Sequence, residues 1–187
     1  MRRDWLNLPN VITLLRIAAV PMFLAVLFAE PDKQSPWRWL AVLLFVAAIA
    51  TDGVDGAIAR KRNLVTDLGK LLDPIADKVL LGGALVALSL LGEVHWAFTA
   101  LILVREVALT VYRMLVIRER VVAANSGGKV KTIMQGITVG FLLSPLDLYW
   151  PPLASIELVA LYLTTIVTLV TGFQYLWAAR RATSVTS

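Results

Sequence analysis

Six long apolar stretches, joined by short polar connections, constrain this chain more than any other feature of it. They cover about 10–29, 37–59, 68–92, 96–118, 131–149 and 153–178, each close to the roughly 20 residues a helix needs to cross a bilayer. In lipid, backbone N–H and C=O groups must be satisfied within the spanning segment, so stretches of this length fold as helices. The apolar share, 58% of 187 residues, exceeds the rough half of a soluble domain. The expectation is an all-α integral membrane protein with six transmembrane helices in a single domain, 1–187, and no room for a separate soluble domain. Arg2 and Arg3 open the chain, but no small-residue cleavage site follows the first apolar run, which fits an uncleaved first helix.

Charge then orients the bundle. Arg2 and Arg3 precede the first stretch, and Arg60, Lys61 and Arg62 follow the second. Arg118, Arg120, Lys129 and Lys131 surround the fourth connection, and Arg180 and Arg181 follow the last stretch. The intervening connections, EPDKQSPWR, GEVHW and SPLDLYWPP, carry little or no positive excess. By the positive-inside rule both termini are expected on the cytoplasmic side of a multi-pass protein of the cell membrane. A net charge of +5 distributed this way speaks for topology and lipid headgroups, not for nucleic acid. MRRDWLNLPN, with Trp5 among charges, predicts a short interfacial helix before the first span. There is no cysteine, which removes disulfides and thiolate chemistry, and the single histidine, His95, sits in a connection where a solvated role is expected.

Asp52, Asp55, Asp73 and Asp77 lie where only lipid-compatible residues would otherwise stand. Ionised carboxylates at membrane depth are costly and ask for a compensating charge, which one or two divalent ions would supply. Spacings of three and four residues put each pair on one face of its helix. The short joining segment, KRNLVTDLG, returns the second helix as an antiparallel neighbour. An oxygen-only donor set suits Mg²⁺ or Mn²⁺, and ligand type alone leaves Ca²⁺ open. Gly53, Gly56 and Gly69 remove side-chain bulk where the acidic faces approach. With Arg60, Lys61 and Arg62 beside them, the acids predict a polar, cytoplasm-facing cavity for a phosphate-bearing substrate.

The spacing also resembles a known family. Asp52, Asp55, Gly56, Ala59, Arg60, Gly69, Asp73 and Asp77 fall at the eight fixed positions, over 26 residues, of the signature of the CDP-alcohol phosphotransferases. The resemblance implies a six-helix membrane enzyme, usually a homodimer, that moves a phosphatidyl group from a CDP-linked lipid to an alcohol and releases CMP. It further implies that Asp52, Asp55, Asp73 and Asp77 hold two Mg²⁺ or Mn²⁺ ions, with Asp77 also the general base. Gly56, Ala59 and Arg60 would meet the CDP group, and Asn10 and Thr13, in a first-helix pattern with Asn7, Pro9 and Arg16, belong to the same CDP-lipid site. With neither a thiol nor a placed histidine, direct displacement is expected in preference to a covalent intermediate.

The acceptor must be read elsewhere. Arg105 and Glu106, then Arg113 two turns later, lie on the fourth stretch, and SGGKVKTIMQ follows with Lys129, Lys131 and Thr132. Arg105, Arg113, Lys129 and Lys131 are the expected binders of an acceptor phosphomonoester, with Glu106 orienting one of them. LDPIADK, the Arg105–Glu106 pair and GKVKTIMQ are similar to the phosphatidylglycerophosphate synthase branch of the family, which implies CDP-diacylglycerol as donor and sn-glycerol 3-phosphate as acceptor. Inositol phosphate and phosphatidylglycerol are the alternative acceptors, and a divalent-cation carrier is the alternative from another class.

Overall fold

Proline, serine, histidine and glycine set the helix ends in a computed structural model. It describes the backbone of residues 8–61, 67–116 and 126–184, and the side chains of 11–51, 75–76, 78–112 and 130–177. All regular structure among the described residues is helical: α1 (Leu8–Ala29), α2 (Pro36–Lys61), α3 (Asp67–Leu90), α4 (Trp96–Val116), α5 (Ser126–Leu143), α6 (Leu146–Tyr149) and α7 (Pro152–Ser184). Pro36 opens α2, where its missing N–H is no loss, and Ser35 Oγ accepts from the Trp37 N–H at 3.3 Å. Beyond the end of α3, Gly92 has φ 76°. It donates to Ser89 O while Glu93 donates to Leu88 O, a Schellman closure that needs the left-handed conformation glycine tolerates. His95 is exposed and its Nδ1 accepts from Ala97 N–H at 3.2 Å, so it caps α4.

The six expected stretches correspond in order to α1, α2, α3, α4, α5 and α7, with two differences. SGGKVKTIMQ, expected as a connection leading into a helix, is helical from Ser126, so Lys131 stands on a rigid element. The last connection contains the one-turn helix α6. The expected interfacial segment around Trp5 lies outside the described residues.

Polar contacts fix which ends meet. Lys33 in the α1–α2 connection pairs with Asp147 of α6 at 2.8 Å. Arg38, fully buried at the start of α2, donates from Nε to Leu143 O at 2.8 Å and pairs through Nη2 with Glu93 in the α3–α4 turn. These three connections therefore lie at one end of the bundle. The end of α2, the start of α3, the end of α4, the start of α5, the start of α1 and the end of α7 lie at the other.

Between the ends, α1, α2 and α3 pack around Phe23, Phe45, Leu27, Leu88 and the alanines Ala41, Ala48 and Ala84. The Phe23 and Phe45 ring centroids are 5.8 Å apart. Small residues let helix backbones approach where lipid offers no hydrophobic drive to associate. The α5–α7 contact is polar instead. Thr138 and Thr164 hydroxyls are 2.8 Å apart and Gln135 Nε2 donates to Thr168 Oγ1 at 3.2 Å. Such interhelical bonds contribute on the order of 0.6 kcal/mol each in membrane bundles.

Outside, the surface is as apolar as the core, unlike that of a soluble protein. Leu15, Leu43, Val104, Ile133, Leu163 and Phe173 are exposed, while Arg38, Glu106, Lys131, Gln135 and Thr168 are buried. Val11–Ala29 and Pro152–Trp177 are long and apolar enough to cross a membrane. Among the described residues, Pro36–Thr51, Lys78–Leu90 and Val130–Leu143 are further apolar helical stretches.

Candidate active site

The up-and-down order of the helices concentrates their charged halves. Asp52 and Asp55 lie in the second half of α2, Asp73 and Asp77 in the first half of α3, and both halves run toward the end away from Arg38 and Glu93. Both helices are continuous through these positions, so the expected pairs keep their helical spacing. The side chains of Asp52, Asp55, Asp73 and Asp77 lie outside the described residues, as do those of Gly56, Ala59, Arg60, Asn10, Arg113 and Lys129. No group of three metal-ligating side chains occurs among the described residues. Thr13 and Arg16, one turn apart near the start of α1, are both buried and face inward at this same end.

The described part of the site is built on Glu106. Its Oε1 accepts from Arg105 Nη1 at 2.8 Å and from Lys131 Nζ of α5, and its Oε2 accepts from Lys78 Nζ of α3 at 3.1 Å. Arg105 is held from a fourth helix as well, since Nη2 donates to Thr171 Oγ1 of α7 at 3.0 Å. Its stem crosses Gly172 closely: a Cβ there would stand 2.9 Å from Arg105 Nε. One carboxylate thus gathers cations from three helices, with α7 steadying one of them.

Burial raises the stakes of this arrangement. Glu106 is 9% exposed and Lys131 6%, and an unpaired charge at such depth costs several kcal/mol. Pairing removes part of that cost, and among the described residues three cations share one carboxylate. A site of this kind is suited to a dianion. A mostly apolar pocket beside it is lined by Leu81, Leu85 and Ile102 together with Lys78, Glu106 and Gln135.

Of the expected acceptor residues, the structure brings Arg105 and Lys131 to a common carboxylate. It gives Glu106 a larger part than orienting one cation, and it adds Lys78, which sequence reasoning did not select. The available signal was position: Lys78 directly follows Asp77.

Residues 6–171 match the family described as CDP-alcohol phosphatidyltransferase, which is most of the chain. The chain belongs to that family. Among curated proteins it is similar to a probable phosphatidylglycerophosphate synthase of Mycobacterium tuberculosis, 42% identical over 175 residues that cover 94% of this chain and 82% of that protein. A CDP-diacylglycerol–glycerol-3-phosphate 3-phosphatidyltransferase of Bacillus subtilis is 41% identical over 182 residues, covering 90% and 93%. A protein of the same name from Rickettsia bellii is 37% identical over 179 residues, covering 94% and 96%. As a CDP-alcohol phosphatidyltransferase the chain is an enzyme, and its lipid-facing surface and apolar helices are those of a membrane protein.

Proposed function

We propose that this enzyme transfers the phosphatidyl group of CDP-diacylglycerol to sn-glycerol 3-phosphate, giving phosphatidylglycerophosphate and CMP. The observation that carries the reading is the cluster of Lys78, Arg105 and Lys131 on Glu106, a cationic site one residue along α3 from Asp77. A phosphorylated acceptor bound by its phosphate there would carry its hydroxyl toward the acidic helices. The names of the Mycobacterium tuberculosis, Bacillus subtilis and Rickettsia bellii relatives agree with that acceptor. Arg113 and Lys129 complete the proposed acceptor site.

In this proposal all six long helices cross the cell membrane, and the site and both termini face the cytoplasm. The lysines and arginines gathered at the site end of the chain support that orientation. Membrane lipids surround the bundle, and a homodimer is the proposed assembly.

The oxygen-only donor set of Asp52, Asp55, Asp73 and Asp77 fits Mg²⁺ or Mn²⁺, with two ions as the proposed complement. Bound there, the metal would neutralise the donor diphosphate and the charge developing on CMP. Arg60 adds a guanidinium to the diphosphate, while Gly56 and Ala59 leave room for the CDP group against α2. Asn10 and Thr13 belong to the same donor site from α1. The acceptor hydroxyl attacks the β-phosphorus that carries diacylglycerol, the bond to the bridging diphosphate oxygen breaks, and that oxygen leaves with CMP. Asp77 takes the hydroxyl proton.

Product analysis tests this. Purified protein given CDP-diacylglycerol, Mg²⁺ and glycerol 3-phosphate is expected to form phosphatidylglycerophosphate and CMP in equal amounts by mass spectrometry. Liposomes containing the protein are expected to take up no divalent ion. Ion uptake without lipid product would replace the enzyme reading with a carrier.

A further inference from the structure

The three cations on Glu106 outnumber what one carboxylate neutralises, and their geometry says what else they are for. Oε1 holds Arg105 and Lys131, and Oε2 holds Lys78, so three donors from α3, α4 and α5 surround one small anionic group. A phosphate presents three oxygens to such a ring of donors and brings negative charge to a cluster in which, among the described residues, three cations share one carboxylate. Arg105 is locked in place by Thr171 and by its close passage over Gly172. Lys131 has a side chain only 7% exposed. Lys78 differs, with 28% of its side chain exposed and the longest contact of the three to Glu106. It is the cation best able to turn toward an arriving anion.

We infer that Glu106 is the positioning residue of the acceptor site and Lys78 its third cation. The carboxylate stands in for the acceptor's phosphate, keeps Lys78, Arg105 and Lys131 converged while the site is empty of acceptor, and shares them with the phosphate when it arrives. The inference rests on the proposed acceptor class and adds its geometry. Because Lys78 directly follows Asp77 on α3, a phosphate that engages Lys78 is registered against the helix carrying the base. The cluster therefore sets distance as well as affinity: the anion is gripped by α3, α4 and α5 together, and a misplaced phosphate would leave the hydroxyl out of reach.

Kinetics and binding test this in the purified, lipid-solubilised full-length protein. Lys78→Met and Glu106→Gln are each expected to raise the KM for glycerol 3-phosphate about tenfold or more, the loss of one charge-assisted contact. The KM for CDP-diacylglycerol should stay within about twofold, and Glu106→Asp should recover part of the loss, which a purely structural ion pair would not produce in that pattern. Inorganic phosphate should raise the Tm of the wild type in a concentration-dependent way and do so much less in Lys78→Met. Stabilisation by phosphatidylglycerol alone, with no effect of inorganic phosphate or glycerol 3-phosphate, would make the site a lipid-headgroup site and overturn the inference. An unchanged glycerol 3-phosphate KM and an unchanged phosphate response in folded Lys78→Met would overturn it too. If the wild type releases no CMP with glycerol 3-phosphate but loses its phosphate response in Lys78→Met, the proposed acceptor falls and the phosphate site stands.

Discussion

Substitutions at Asp73 and Lys131 test the two proposed jobs of the site separately. Asp73→Asn keeps shape and removes charge, so turnover is expected to vanish while membrane insertion and folding persist; retained activity would take Asp73 out of the metal set. Lys131→Ala is expected to raise the KM for glycerol 3-phosphate about tenfold with little change in that for CDP-diacylglycerol. An effect confined to the donor would move Lys131 to the other substrate. At this scale the Arg105–Glu106 pair was legible because it breaks an apolar pattern and its members are adjacent; the four acids break the same pattern, and their side chains lie outside the described residues. Lys78 was not legible, since its partner lies 28 residues away and a lysine beside an aspartate reads as its local counter-charge. Thr171 and Gly172 were equally silent, because a threonine and a glycine in an apolar helix look like ordinary packing until Arg105 is seen against them.

Helices meet at two polar nodes, one at each end of the bundle. At the end away from the site, Arg38 is wholly buried and depends on Glu93 and the Leu143 carbonyl. Glu93→Gln leaves that charge without its counter-ion and is expected to destabilise the fold by about 3 kcal/mol, read as a lowered Tm in detergent. Wild-type stability in that variant would mean the contact is not maintained in lipid. At the site end, Gly172→Ala should push Arg105 off Thr171 and Glu106, since the new Cβ would stand 2.9 Å from Nε and 3.0 Å from Cγ. The expected readout is a raised acceptor KM with the donor KM unchanged. The long helices could be read from hydropathy because their connections are short and polar, and GEVHW announced the turn at Gly92. The Arg38 node could not, as its contacts reach 55 and 105 residues along the chain. The fifth stretch was expected to begin at Lys131 after a connection; helix α5 starts earlier, at Ser126.

Across the whole molecule the logic is a bundle with an apolar exterior whose lysines and arginines gather mostly toward one end. The absence of cysteine gives a clean background for mapping that asymmetry. Single cysteines replacing Gln34 and Asn63 are expected to react with impermeant reagents from opposite sides of the membrane, Asn63→Cys from the cytoplasm. Labelling from the same side would contradict the proposed topology. Four carboxylates on α2 and α3 repel one another without cations, so chelation is expected to lower the Tm and expose the α2–α3 connection to protease. Unchanged stability in EDTA would remove the structural part of the metal's role. The central claim, transfer of a phosphatidyl group to a phosphorylated three-carbon alcohol, is tested most directly by CMP release from CDP-diacylglycerol and Mg²⁺ in four parallel reactions: glycerol 3-phosphate, inositol 1-phosphate, phosphatidylglycerol and no acceptor. Release with glycerol 3-phosphate alone is the predicted result; release with either other acceptor in its place, or none with any, would contradict it.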